Sequence, residues 1–290
     1  MKLSFRNVFL VARSEYIKWL LNPRIVMLLA ILIPIRELII VPLIQAAGEM
    51  NQPLNIFESC IAVANSGFIV LLLPLAYIVL ISSFPTVDGN MLFYIKRMGR
   101  KNWIMGEMLF QVFAAFTYCL VVMVSTIVQT VHISFVANGW SIAVTDYDKV
   151  YGDISNIRME SIIPPNLHYQ ISPYKAFFLS YLLMFVFLLL CSMVFLTGCL
   201  YSKKLLFFLL LILQVALGCA LYSIGNKFMW IFPISHSIVQ IHYQKYLRKY
   251  VLDPRWSVSL FIALILVLVI ISYRKVKKVN LDMIGGNRLL

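Results

Sequence analysis

The stretch YKAFFLSYLLMFVFLLLCSMVFLTGCLY, residues 174–201, contains one charged side chain, Lys175, close to its N-terminal end. An α-helix needs about 20 mainly apolar residues to cross the hydrocarbon core of a bilayer. The apolar residues here follow one another without the alternation of period two that is typical of an outer-membrane barrel strand. The stretch therefore predicts a membrane-spanning helix.

The rest of the chain has the same character. Of its 290 residues, 61% are hydrophobic and 13% are charged, whereas soluble domains have about 45–50% apolar and about 25% charged residues. Hydropathy predicts six spans, at residues 24–45, 61–82, 103–131, 174–201, 205–223 and 257–273. The expected fold is an all-α integral membrane protein of the cell (plasma or inner) membrane, with residues 1–290 forming one transmembrane domain.

The segment before the first span, residues 1–23, is too charged to cross a membrane but has helical periodicity. Phe5, Phe9, Ala12, Tyr16 and Leu20 fall near one face, which predicts an amphipathic helix that lies along the membrane surface. Pro23 favours a break where the chain turns into the bilayer. The candidate functional residues of this interfacial entry helix are Phe9, Tyr16, Trp19 and Arg24.

The chain carries a net charge of +13. In a soluble protein such a charge would suggest nucleic-acid binding, but cytoplasmic loops of membrane proteins also collect Lys and Arg. With the N-terminus inside, sixteen of the 25 basic residues fall inside, eight fall outside, and Arg36 lies within a span. This bias predicts that both termini are cytoplasmic, and no nucleic-acid partner is expected.

Two outer connections are long. Residues 132–173 are interpreted either as a small folded cap or as a partly disordered loop. In the segment 225–256, Pro233 predicts a break between short outer or re-entrant helices. Val239, Tyr243, Tyr246 and Tyr250 fall at helical spacing and predict that the second piece is an amphipathic helix.

Motifs for covalent chemistry are absent from the sequence. There is no G-x-x-x-x-G-K-[ST], no H-E-x-x-H and no G-x-S-x-G. The five cysteines form no C-x-x-C pair, so neither a disulfide framework nor a zinc site is indicated. His236 and His242 are poorly spaced for binding a metal from one helix face and are interpreted as interfacial. We expect no enzyme activity, no metal and no cofactor on this chain.

Arg36 and Glu37 interrupt the first apolar run. Ionisable residues within a span are costly and mark functional sites by default. Arg36 lies roughly 20 Å along the helix from Pro23. Two interpretations stay open, a polar lining of a substrate path and a snorkelling or interhelical pair near the outer interface.

The stretch VDGNMLFYIKRMGRKNW, residues 87–103, separates the second and third spans. Asp88, Gly89 and Asn90 form a predicted turn with a helix N-cap. Residues 91–95 then predict a short helix with apolar and aromatic faces, followed by Lys96, Arg97, Arg100 and Lys101. A plain cytoplasmic loop would carry such basic residues, but it would not need the turn and the short helix before them.

This stretch resembles the cytoplasmic loop of ABC-2 type permeases, in which a short coupling helix docks on the ATP-binding subunit. Residues 14–16 (SEY) and 19–24 (WLLNPR) are similar to the entry helix and its N-P-R exit in the same family. The short loop after the fourth span and the outer segment before the sixth also fit, whereas the long connection at 132–173 departs from the commonest members.

The resemblance implies a coupling loop at 83–102. Its implied contacts with the ATP-binding subunit are Asp88, Met91, Leu92, Phe93, Tyr94, Lys96 and Arg97. It also implies two copies of that subunit, which hold ATP and Mg²⁺, and a second permease chain. The implied function is export of an amphipathic or hydrophobic substrate, with a peptide toxin or antibiotic peptide favoured. The alternatives are export of a lipid or lipid-linked glycan, an intramembrane transferase, and a sensory or assembly protein.

Overall fold

The protein was analysed as a computed structural model, which describes residues 3–85, 89–152, 155, 157–245 and 249–276. Within these ranges the chain is almost entirely helical. Helix α1, Phe5–Leu20, buries Val8, Val11, Ala12 and Trp19. Of the predicted apolar face, Phe5, Phe9 and Leu20 are exposed, whereas Ala12 is buried. One face of α1 thus packs on the protein, and the neighbouring apolar side chains are exposed, as expected of a helix along a membrane surface.

The first span is a chain of short helical pieces rather than one straight helix. In order they are a 3₁₀ turn at Pro23–Ile25, α2 at Val26–Ala30, α3 at Leu32–Ile35, a π turn at Arg36–Ile40 and α4 at Val41–Met50. Pro34 and Pro42 lie on either side of the π turn, and each lacks the backbone N–H that a regular helix uses. The interruption thus has a local cause in the sequence.

The second predicted span is divided into two helices. Strand β1, Leu54–Asn55, precedes α5 at Glu58–Asn65, and α6 follows at Gly67–Ile81. The two helices meet at Ser66 with a bend of 77°. Ser66 has an extended backbone, with φ −67° and ψ 131°, and this conformation changes the direction of the chain between the two helices.

Helix α7, Gly89–Met98, and helix α8, Arg100–Thr130, are joined by one residue, Gly99. Gly99 has φ 87° and ψ 149°, a conformation that only glycine adopts readily. It is therefore suited to a sharp change of direction between the two helices. A 3₁₀ turn at Val131–Ile133 continues α8.

The first outer connection is folded wherever it is described. Strand β2, Ser134–Phe135, pairs in parallel with β1. Four short helices follow among the described residues: α9 at Ile142–Thr145, α10 at Tyr147–Tyr151, α11 at Met159–Ile162 and α12 at Pro165–His168. Of the two interpretations of residues 132–173, the folded cap is the one that agrees with this arrangement.

Helix α13, Pro173–Leu200, lies at the centre of the bundle and packs against α5, α6 and α8. It turns through Ser202 into α14, Lys204–Ile224. A methyl group on Gly198 of α13 would lie 2.5 Å from Phe207 of α14. The hairpin is therefore tight because glycine admits the aromatic ring.

The second outer segment contains a 3₁₀ turn at Lys227–Ile231, α15 at Pro233–Ser237 and a 3₁₀ turn at Val239–His242. The prediction of an amphipathic helix reaching Tyr250 is wrong. Tyr243 and Tyr250 form an antiparallel bridge instead, and Val251 N–H donates to His242 C=O over 2.8 Å. The backbone groups of this segment are therefore paired across an antiparallel reversal of the chain. The helical spacing of the tyrosines had suggested that they would be paired within a helix.

Helix α16, Pro254–Lys275, completes the described chain. Five helical segments are long and apolar enough to cross a membrane, namely Pro23–Met50, Arg100–Ile133, Pro173–Leu200, Lys204–Ile224 and Pro254–Lys275, and the bent pair α5–α6 makes a sixth when it is counted as one span. The prediction of a helical membrane protein is confirmed to this extent.

Candidate functional site

The residues predicted for the coupling loop belong to α7. Asp88 lies outside the described residues, and Met91, Leu92 and Phe93 lie within the helix. The Tyr94 hydroxyl donates to Ser14 Oγ of α1 over 3.1 Å. Tyr94 is therefore directed toward the entry helix.

Ile95 anchors α7 to the bundle. It belongs to a cluster of buried residues that we call the α7 cluster: Val11, Ile95, Trp103, Ile104, Met108, Met193, Leu196, Leu200 and Val276. Lys96 and Arg97, which follow it in α7, are exposed. The helix thus has one face held by α1, α8, α13 and the end of α16, and basic side chains at the surface.

The entry helix lies close along α8. A methyl group on Gly106 of α8 would lie 2.5 Å from Val11 Cβ, so the two backbones approach closely at this glycine. Ser4 N–H donates to Asn102 Oδ1 over 2.9 Å, and the hydroxyls of Tyr16 and Thr117 share a hydrogen bond of 2.8 Å. Helices α1, α7 and α8 therefore form one packed unit.

The Asn-Pro-Arg exit of α1 is attached to the end of α6. Asn22 Oδ1 accepts from Arg24 N–H over 2.9 Å, and Asn22 Nδ2 donates to Ser83 Oγ over 3.3 Å. The guanidinium of Arg24 donates to Ser82 Oγ. The start of the first span is thus bonded to the segment that leads toward α7.

Among the other entry-helix residues, Trp19 is buried, and Phe9 and Tyr16 line a cavity of about 290 Å³. This cavity lies between α1 and α8, and its remaining lining residues are Arg13, Phe113, Phe116 and Thr117. It is an apolar groove with one basic side chain, which suits contact with the acyl region of a membrane.

Arg36 and Glu37 lie on the π turn in the middle of the first span. Their side chains are 63% and 62% exposed, and Arg36 Nε lies 3.8 Å from Glu37 Oε1. This distance is longer than a hydrogen bond. Ile35, Ile39 and Ile40 of the same region are buried. The charged pair therefore projects away from the core of the chain, and the structure does not bring it near α7.

Sequence reasoning missed a buried polar network at the opposite end of the bundle. Glu58 is buried, and its carboxylate accepts from the backbone N–H of Asn55 over 2.8 Å and from that of Ser141 over 2.6 Å. Ser141 Oγ also donates to Glu58 Oε2 over 2.8 Å. The acidic residue at the start of an apolar run was the available signal for this network.

The bend between α5 and α6 is covered by the second outer segment. Gln240 Nε2 donates to Asn65 C=O over 2.8 Å, and Gln240 N–H donates to Asn65 Oδ1 over 3.2 Å. Asn65 Nδ2 in turn donates to Ser180 Oγ of α13 over 2.9 Å. The backbone carbonyl of Asn65, at the bend, is thus satisfied by a distant part of the chain.

The interpretation of His236 and His242 as interfacial is corrected. Both imidazoles are buried, and both contact Ser257 Oγ at the start of α16. No sequence signal indicated this arrangement, because the spacing of the two histidines does not fit one helix face. Among the described residues, no three metal-ligating side chains come together.

Comparisons with profiles of protein families, with curated proteins and with solved structures find no match for this chain. The resemblance to ABC-2 type permeases therefore rests on the quoted residues and on the order of the helical segments.

Proposed function

We propose that the chain is the permease subunit of an ATP-driven exporter whose ATP-binding subunit is a separate protein. The observation that carries this proposal is the construction of α7. Its Ile95 is buried in the α7 cluster, whereas Lys96 and Arg97 remain exposed. A helix fixed on one side and charged at the surface is suited to docking on an acidic rim of a partner.

In the proposed topology the bent pair α5–α6 counts as one span, so the chain crosses the membrane six times with both termini in the cytoplasm. Helix α7 then lies on the cytoplasmic side, as positive charge in a short loop favours. Two permease chains and two ATP-binding subunits make up the proposed transporter.

The proposed substrate is amphipathic or hydrophobic, with a peptide as the favoured class. Arg36 and Glu37 support this class because they project from an otherwise apolar span surface. An exposed pair in the middle of a span must be covered by protein, water or a polar part of a substrate. We place it along the substrate path, at the contact between the two permease chains.

The proposal is tested by co-purifying the chain with ATP-binding subunits encoded in neighbouring genes and by measuring ATP hydrolysis in nanodiscs. Lys96→Glu should weaken binding of the cognate subunit about three- to tenfold, because reversing a rim charge costs roughly 1 kcal/mol.

Lys203→Glu is the matched control, since Lys203 is also exposed and lies in the other short loop on the same proposed side. It should leave binding unchanged. Equal effects of the two variants would point to general charge attraction, and failure of every candidate subunit to bind would contradict the proposed function.

A further inference from the structure

Three side chains meet where the second outer segment contacts the start of α16. His236 Nδ1 lies 2.8 Å from Ser257 Oγ, and His242 Nε2 lies 2.9 Å from the same oxygen. The other ring nitrogens contact backbone carbonyls, with His236 Nε2 at 2.9 Å from Trp230 C=O and His242 Nδ1 at 2.8 Å from Ile238 C=O. We call His236, Ser257 and His242 the triad.

The carbonyl contacts fix the tautomers. A carbonyl oxygen only accepts hydrogen bonds, so His236 must carry a proton on Nε2 and His242 must carry one on Nδ1. A neutral imidazole has a single N–H. The two nitrogens that face Ser257 are therefore both unprotonated acceptors in the neutral state.

Ser257 has one hydroxyl proton and can donate to only one of these acceptors. In the neutral triad the second contact would bring a nitrogen lone pair against an oxygen lone pair at hydrogen-bond distance. One additional proton removes this conflict. One imidazole then becomes an imidazolium that donates to Ser257 Oγ, and Ser257 donates to the other imidazole.

We infer that the triad is a proton-binding site that takes up one proton per chain. This inference does not depend on the proposed export function. It assigns Ser257 the role of a positioning residue, because the hydroxyl both accepts from one imidazole and donates to the other.

The surroundings set the affinity of this site. Burial lowers the pKa of His242 to about 4 and also lowers the pKa of His236. The bond to Ser257 acts in the opposite direction, because hydrogen bonding to the charged form favours that form. Among the described residues, Asp253 at the start of α16 acts on His242, Tyr243 of the bridge lies close to Tyr250 and Asp253, and Tyr222 of α14 contacts Gln240 of the 3₁₀ turn. Among these groups, Asp253 supplies the carboxylate that favours an imidazolium.

Proton uptake would strengthen a specific contact. The protonated triad ties both α15 and the 3₁₀ turn Val239–His242 to α16, whereas the neutral triad holds only one of them. Gln240 of the same turn also covers the α5–α6 bend, so the triad and this cover belong to one segment.

The experiment is histidine-selective ¹⁵N NMR of the full chain in nanodiscs between pH 8 and pH 3. The chain has four histidines, so each signal can be assigned by single substitution. At pH 8 we expect His236 as the Nε2–H tautomer and His242 as the Nδ1–H tautomer. On acidification, one imidazole of the triad should become charged while the other stays neutral.

Ser257→Ala should lower the proton affinity of the triad at least about tenfold, which equals about 1.4 kcal/mol, because the imidazolium loses its hydrogen bond to the hydroxyl. Ser257→Thr retains the hydroxyl and should restore the titration. His168 makes no contact with Ser257 and serves as the reference signal. The inference is overturned when His242 is the Nε2–H tautomer at pH 8, or when Ser257→Ala leaves both titrations unchanged. If Ser257→Ala does not fold, the tautomers of His236 and His242 in the wild-type protein at pH 8 test the inference.

Discussion

The two ends of the bundle satisfy their polar groups in different ways. At the outer end, the carboxylate of Glu58, the amides of Asn65 and Gln240 and the triad are buried and bonded within the chain. At the α7 end, apolar residues fix the helix and its basic side chains stay at the surface. The buried groups named for the outer end are therefore bonded within one chain, whereas the α7 end exposes Lys96 at its surface.

Loss of Glu58 is the most severe way to disturb the outer end. Glu58→Ala leaves the buried N–H groups of Asn55 and Ser141 without their acceptor. Each unsatisfied buried donor costs about 1–3 kcal/mol, so the free energy of unfolding should fall by about 3 kcal/mol. Thermal unfolding in detergent and protease sensitivity of the outer cap measure the effect.

Glu160→Ala is the control for this prediction. Its exposed carboxylate lies 3.7 Å from Lys245 Nζ, and exposed ion pairs contribute about 0–1 kcal/mol. Similar losses for the two variants would show that the outer end does not depend on its buried carboxylate.

The corresponding disturbance of the α7 end is Gly106→Ala, because the added methyl group would meet Val11 of α1. Overpacking of this kind costs about 1–3 kcal/mol and should separate α1 from α8. The unfolding temperature reports the loss. Gly67→Ala adds a methyl group with no atom within 4 Å, and it should leave stability within about 0.5 kcal/mol of wild type. A stable, unaltered Gly106→Ala protein would contradict the close α1–α8 contact.

Arg36→Leu is expected to reduce transport while leaving the stability of the fold nearly unchanged. The side chain is exposed, so stability should change by about 0.5 kcal/mol or less, while transport should fall about tenfold, equal to roughly 1.4 kcal/mol of barrier. Efflux of a fluorescent amphipathic peptide from vesicles that also contain the ATP-binding subunit is the measurement. Leu38→Ala, at another exposed residue of the same π turn, is the control. Unchanged efflux with normal folding excludes Arg36 from the substrate path.

The smallest expected effect is a pH dependence in the outer cap. Burial lowers the pKa of His168 below its ordinary value, so between that lowered pKa and about 6.5 the unfolded chain binds more protons than the folded chain. Stability is therefore retained above about pH 6.5 and lost as the pH falls below it. The measurement is the fall in unfolding temperature between pH 7.5 and pH 5.5. This fall should be smaller for His168→Gln than for wild type. His132→Gln, at an exposed residue, should behave like wild type.

The sequence predicts the long spans well because hydropathy acts over about 20 consecutive residues. The predicted spans 205–223 and 257–273 correspond to helices at Lys204–Ile224 and Pro254–Lys275. The short helix predicted at 91–95 lies within α7. In each case the pattern is local and does not depend on distant contacts.

The remaining features depend on residues that are far apart in the chain. The bend at Ser66 is covered by Gln240, which lies 175 residues from Asn65. The triad joins two segments through one serine, and no periodicity marks that serine. For Arg36 and Glu37, the sequence placed the charges in the span but did not indicate which side of the helix faces the core.

Gly99 also has a mechanical consequence. Helix α7 has 10 residues and α8 has 31, so at about 1.5 Å per residue their lengths are roughly 15 Å and 46 Å. Ile95 packs in one cluster with Trp103 and Ile104, so α7 and the start of α8 are held together across Gly99. At the far end of α8, Thr130 shares a hydrogen bond of 3.2 Å with Ser59 of α5, so α8 connects α7 with α5.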